Sequence, residues 1–158
     1  NYEKNPEINL IGCLGRIEIK NDTPTGTYNI LLSGLKKVKI NEIKSKKEYR
    51  VAELEVINEI YGDENLDLLK EKVFRAFERM SIDNDYPKIP DEFKELIDFE
   101  MAVNFLVSYL PIDIIQKQKL LELDDISLRA KILVQFMDSS LGKFETGDIN
   151  TLGDLRFN

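Results

Sequence analysis

Residues able to do chemistry are few in this chain, and they do not form a familiar constellation. The sequence has no histidine and a single cysteine, Cys13. Without histidine there is no Ser-His-Asp triad and no histidine general base or zinc ligand, and one cysteine cannot form a Cys-rich zinc site. Cys13 lies in a β-type run without a base beside it, so a small buried hydrophobe is its expected role.

Serine, lysine and carboxylate clusters also favour structural roles. Ser45-Lys46 belongs to a charged loop, and Asp83-Asn84-Asp85 lacks the later glycine and glutamate of a calcium loop. Asp124 is expected to cap a helix. Three carboxylates are expected on one solvated helix face: Glu92, Glu95 and Asp98. The sequence therefore predicts a chain that is not an enzyme, with no catalytic residue, metal site or cofactor.

Composition and charge limit the class of partner. The chain is 42% hydrophobic and 32% charged, which is typical of a globular domain. Residues 1–60 hold ten Lys/Arg against nine Asp/Glu, whereas residues 61–158 hold twelve against twenty. An acidic second half repels phosphate backbones, so nucleic-acid binding is disfavoured. No apolar run is long enough for a membrane span. The lone cysteine and the lack of an apolar leader favour a cytoplasmic location.

The first sixty residues show the period of β-strands. Strands are predicted over residues 8–20, 27–33, 36–44 and 49–57, with a turn over residues 21–26 and a break at Gly34. Gly12 and Gly15 suggest a bulge or a close backbone approach. In the last strand, Tyr49 and Val51 share the parity of the glutamates. Either a bulge corrects this parity, or the two apolar side chains are exposed.

From residue 63 onwards the period becomes helical. Helices are predicted over about 63–81, 90–110, 112–121 and 124–142, the second ending before Pro111. The second helix should face inward with six apolar residues: Phe93, Leu96, Ile97, Met101, Phe105 and Leu106. The chain is thus expected to be α+β, with a β-rich part (1–61), a helical bundle (62–142) and a tail or linker (143–158). The hinge is placed near Tyr61-Gly62.

Four ordered segments carry a family resemblance. They are residues 11–17 (Ile-Gly-Cys-Leu-Gly-Arg-Ile), 26–34 (Gly-Thr-Tyr-Asn-Ile-Leu-Leu-Ser-Gly), 38–40 with 49–55, and 108–111 with 117–122 and Arg129. In order and spacing they resemble the N-terminal domain of Lon proteases, and still more the stand-alone Lon substrate-binding-domain proteins. Lys36-Lys37 departs from the family pattern, which usually has an arginine there.

The resemblance implies a PUA-like β-pseudobarrel followed by an α-helical bundle. It implies binding of unfolded or damaged polypeptide for ATP-dependent proteolysis or related quality control, with a Lon protease core as a further partner. It implies no peptidase activity, because the residues matched are not those of the family's ATPase and peptidase domains. The family's opening strand and the helix after it have no counterpart in the sequence, so some strands are expected to lack partners.

Two functional hypotheses remain open at this stage. One is a non-catalytic polypeptide-binding module, and the other is a PUA-like RNA-binding or regulatory module, against which the acidic helical half argues. The residues predicted to contact polypeptide are Tyr49, Val51 and Tyr61. The alternative for these three residues is packing at the junction of sheet and bundle. The sequence gives no prediction of self-association.

Overall fold

The computed structural model describes residues 6–84 and 86–139 of the chain. The chain divides into two compact units, Asn1–Asn58 and Glu59–Asn158. The first unit contains the strands and the second the helices, so the predicted α+β order is confirmed. The division falls three residues before the expected boundary, because the segment from Glu59 to Gly62 is hydrogen-bonded to the helices.

The first unit is a three-stranded antiparallel sheet in the order β1-β2-β3. Its strands are β1 (Ile11–Asp22), β2 (Tyr28–Ile43) and β3 (Val51–Val56). A tight turn joins β1 to β2, in which the Gly26 amide donates to the Thr23 carbonyl over 3.1 Å. Gly26 has a φ of 78°, a conformation that glycine adopts without steric cost. The predicted turn is therefore confirmed.

The expected break at Gly34 is wrong, because β2 runs through it as one strand of 16 residues. Gly34 instead lies opposite Gly15, beside a register shift at Leu14/Gly15. The bulge expected near Gly15 is thus present, and β2 crosses it without ending. Gly12 marks a close approach, since a Cβ atom there would lie 3.0 Å from Cδ1 of Ile40.

Large apolar side chains are exposed on both faces of the sheet. Directly paired residues share a face, as Ile17 does with Leu32 and Ile40 with Leu54, but the register shift at Leu14/Gly15 inverts the alternation along β2. We define the apolar sheet residues as eight large side chains, which are 37–61% exposed: Leu10, Leu14, Ile17, Tyr28, Ile30, Leu32, Leu54 and Val56. Charged pairs alternate with apolar pairs between β2 and β3, as Glu55 opposite Lys39 does. An apolar surface of this size is unusual for a soluble domain without a binding partner.

The second unit holds the hydrophobic core. Its helices are α1 (Leu66–Asn84), α2 (Asp91–Leu96), α3 (Phe99–Tyr109), α4 (Ile114–Glu122) and α5 (Ile126–Ser139). The core is built from the inward stripes of α1, α3 and α5, and includes Val73, Phe77, Leu106 and Leu133. Pro111 ends α3 as predicted, with Leu110 in an extended conformation.

The predicted second helix is two helices. Ile97 is extended and buried, and the Asp98 carboxylate accepts the Met101 amide over 2.7 Å as the N-cap of α3. Asp98 is therefore a cap and not part of a continuous solvated helix face. Because the break resets the helical phase, Leu96 and Met101 are exposed, contrary to the prediction that both face inward.

Asp124 does not cap the last helix. The Asp125 carboxylate instead accepts the Leu128 amide over 3.0 Å, while the Asp124 carbonyl accepts the Ile60 amide. The first helix is capped by Asn65, one of its two predicted caps. The predicted stop at Gly142 and the tail over 143–158 lie outside the described residues.

Candidate functional site

Tyr49 and Val51 lie at the start of the last strand. Tyr49 is 64% exposed, and the ammonium group of Lys47 lies 5.1 Å from the centroid of its ring. Val51 opens β3 opposite Ile43 and is partly buried. The two predicted contact residues are thus close in the chain, but they differ in accessibility.

Arg50 fixes the backbone between these two residues. Its guanidinium donates to Glu42 Oε2 over 2.7 Å and to the Pro6 carbonyl over 2.7 Å. The hydrogen bond from Arg50 lowers the pKa of the Glu42 carboxyl, so Glu42 keeps its charge well below neutral pH. This bidentate pair ties the start of β3 to β2.

Tyr61 belongs to the helical unit. Its hydroxyl donates to Glu100 Oε2 over 2.9 Å, and its side chain is 47% exposed. The hydrogen bond to Glu100 raises the pKa of the Tyr61 phenol, and burial and nearby carboxylates raise it further. The ring therefore presents an accessible face beside a negative charge.

The strongest polar contact of the helical unit was not anticipated from the sequence. Arg129 is 1% exposed and pairs with Glu59 over 3.0 Å. Its guanidinium also donates to Asn104 and to the carbonyls of Leu120 and Leu123. The sequence signal for this contact was an arginine within the apolar stripe of α5. Its partner Glu59 could not be identified from the sequence, because it lies 70 residues away.

Cys13 does not have the environment that the sequence predicts. It was predicted to be buried, but it is exposed. It lies opposite Lys37 in the pairing of β1 with β2. Within residues 6–84 and 86–139, no group of three or more cysteine, aspartate or glutamate side chains is arranged to hold a metal ion.

A groove of about 470 Å³ lies between α1 and α5. Leu68, Leu69 and Val134 provide its apolar lining, and Lys72 and Lys131 stand beside them. Its volume suits one or two apolar side chains and it lacks convergent catalytic groups, so it fits binding better than reaction chemistry. None of the helices in the described part of the chain is long and apolar enough to cross a membrane.

Comparison with known proteins places these features in a family. The family model of the ATP-dependent protease La (LON) substrate-binding domain matches residues 1–139. The Lon protease of Flavobacterium johnsoniae is 28% identical over 150 residues, which cover 88% of this chain and 18% of that protein. The Lon protease of Amoebophilus asiaticus is 29% identical over 136 residues, covering 83% of this chain and 16% of that protein.

A solved structure shares the fold. The N-terminal domain of a Mycobacterium avium complex Lon protease superposes with a TM-score of 0.68 at 15% identity. The match covers 85% of this chain and 73% of that chain. The chain therefore has the fold that the resemblance implied, although it spans less than a fifth of the length of the Lon proteases above.

Proposed function

Because the chain belongs to the family of LON substrate-binding domains, we propose that it recognises unfolded or damaged polypeptide for proteolysis and performs no proteolysis itself. The family match over residues 1–139 is the observation that carries this proposal. The proteases named above extend far beyond the aligned region, so hydrolysis is assigned to parts that this chain does not match. We place the activity in the cytoplasm, as the single cysteine favours.

The sheet supplies a physical basis for such binding. Unfolded chains differ from folded ones by exposing apolar side chains and unpaired backbone groups. The apolar sheet residues offer accessible apolar surface, and the outer edges of β1 and β3 have no strand beside them in the described sheet. Strand addition uses backbone hydrogen bonds, so it accepts many sequences, which is what a quality-control domain requires.

We assign Tyr49, Val51 and Tyr61 as contacts for such a polypeptide. Tyr49 and Tyr61 are well exposed, and tyrosine is enriched among residues that dominate binding energy. Val51 lies at the start of an edge strand, where an added strand would begin to pair. We further propose that a Lon protease core receives the bound polypeptide.

The proposal is tested by binding the chain to one labelled protein in its native and its unfolded, alkylated form. Fluorescence anisotropy should show binding of the unfolded form only. Tyr49→Ala should weaken binding about 3- to 10-fold, which corresponds to a loss of about 0.7–1.4 kcal/mol for an exposed aromatic contact. Asn58→Ala, at an exposed polar residue of the same unit, is the matched control and should bind as the parent chain does.

Two results would refute this function. One is equal affinity for the native and the unfolded form, and the other is no measurable affinity for either. A circular dichroism melt of each variant must accompany the binding data. Loss of folding in Tyr49→Ala without a selective loss of binding would assign Tyr49 to packing.

A further inference from the structure

An apolar and acidic surface surrounds Tyr61 in the helical unit. We call it the Tyr61 patch and define it by four residues: Tyr61, Asp98, Glu100 and Met101. Tyr61 and Met101 are exposed large apolar side chains. Glu100 accepts the Tyr61 hydroxyl, and the Asp98 carboxylate is hydrogen-bonded to the Met101 backbone. Hydrogen bonds therefore link Tyr61 to Glu100 and Asp98 to Met101 within the patch.

The backbone that presents Ile60 and Tyr61 is held in place on both sides. The Ile60 amide donates to the Asp124 carbonyl over 2.8 Å, and the Ile60 carbonyl accepts the Ile126 amide over 3.0 Å. The Gly62 amide donates to the Ser127 hydroxyl over 3.1 Å. Glu59 is fixed by its ion pair with Arg129. A surface that is already ordered loses little entropy when it binds.

The charge of the patch is negative. Glu59 pairs with Arg129, but the ion pairs found among the described residues include none to Asp98 or Glu100. The ammonium group of Lys70 donates to the Ile97 carbonyl rather than to a carboxylate. The patch therefore combines accessible apolar side chains with two carboxylates that form no ion pair within the described part of the chain.

We propose that the Tyr61 patch binds an arginine or lysine side chain that stands beside an apolar residue in an unfolded polypeptide. The cation would stack on the exposed Tyr61 ring and pair with Glu100, a combination of cation–π and ionic contact. The neighbouring apolar side chain would pack on Met101. This inference rests on the proposed function and adds a sequence preference to it.

The test uses three labelled peptides of equal length. Leucine alternates with arginine in the first, with glutamine in the second and with glutamate in the third. Anisotropy at low salt should rank the affinities arginine, then glutamine, then glutamate, and high salt should compress the ranking. Glu100→Gln should weaken the arginine peptide about 3- to 5-fold, as expected for an exposed ion pair, and leave the glutamine peptide unchanged.

Glu92→Gln is the matched control, because it removes the same charge from an exposed residue of the same unit. It should leave the affinity for every peptide unchanged. Tyr61→Ala should weaken both the arginine and the glutamine peptides. Tyr61→Phe keeps the ring and frees Glu100 of its hydrogen bond, so it should bind the arginine peptide at least as well as the parent chain.

Two outcomes would overturn the inference while leaving the proposed function intact. In the first, the chain binds unfolded protein but has the same affinity for the arginine, glutamine and glutamate peptides. The second is an equal loss of affinity in Glu100→Gln and Glu92→Gln, which would mean attraction by net charge alone. If neither peptides nor unfolded protein bind, the proposed function fails and the inference fails with it.

Discussion

At the scale of single residues, the buried Arg129, which is 1% exposed, holds the start of the helical unit in place. Arg129 uses its guanidinium to join Glu59, Asn104 and two carbonyls near the end of α4. All buried side-chain polar atoms in the described residues have a partner. A satisfied network of this kind specifies one arrangement, because every alternative leaves a charge without compensation.

Replacing Arg129 with methionine should destabilise the chain by about 3–5 kcal/mol, since Glu59 would remain buried without its counter-ion. Denaturant unfolding followed by circular dichroism measures this loss. Arg75→Met is the control, because Arg75 forms an exposed pair with Glu71, and it should cost about 0.5 kcal/mol or less. The double variant Glu59→Leu/Arg129→Met should recover much of the loss. A double variant as unstable as Arg129→Met would contradict the ion-pair explanation.

Sequence reasoning found the accessible aromatic residues but not this network. Tyr49 and Tyr61 were recognised because tyrosine in a polar segment is conspicuous in the sequence. The pairing of Arg129 with Glu59 was invisible because it joins residues 70 positions apart. Cys13 was misjudged for a related reason, since its burial depended on which face of the sheet would be covered.

At the scale of elements, long periodic segments were predictable and their interruptions were not. The helical stripes of α1 and α5 and the position of Pro111 follow from local chemistry alone. The division between α2 and α3 does not, because residues 91–109 have an almost continuous apolar pattern. There the Asp98 cap and the burial of Ile97 outweigh helix continuity.

Asp98→Ala should therefore destabilise the chain by about 1 kcal/mol, the usual effect of removing an N-cap. Asp98→Ser should retain most of the stability, because a hydroxyl can accept the Met101 amide. Glu95→Ala tests the earlier assignment of both residues to one solvated face, and thermal melts should show a much smaller effect for it. Equal effects of Asp98→Ala and Glu95→Ala would contradict the capping role.

The strands show the same division between local and non-local information. The turn at Gly26 was predictable because Pro-Thr-Gly is a local signal. The continuity of β2 through Gly34 was not, since it depends on pairing with β1 across the sheet. The face on which each apolar sheet residue lies likewise depends on register and cannot be read from any one strand.

At the scale of the whole molecule, the hydrophobic core lies in one of the two units. The cluster of buried hydrophobic residues belongs to the helices, whereas the apolar sheet residues of the strands are accessible. The helical unit therefore has the means to be stable by itself. The polypeptide contacts proposed above are divided between the units, with Tyr49 and Val51 in one and Tyr61 in the other.

The boundary between the units yields the last prediction. A chain of residues 59–158 should fold cooperatively, because it retains Glu59 and the backbone hydrogen bonds of Ile60. A chain of residues 63–158 loses both and leaves Arg129 buried without a carboxylate, so it should be less stable by about 3–5 kcal/mol. Urea unfolding monitored by circular dichroism compares the two. Equal stability would return the boundary to Tyr61-Gly62. Arg129→Met should destabilise the longer chain more than the shorter one, because in the shorter one the Glu59 carboxylate is already gone.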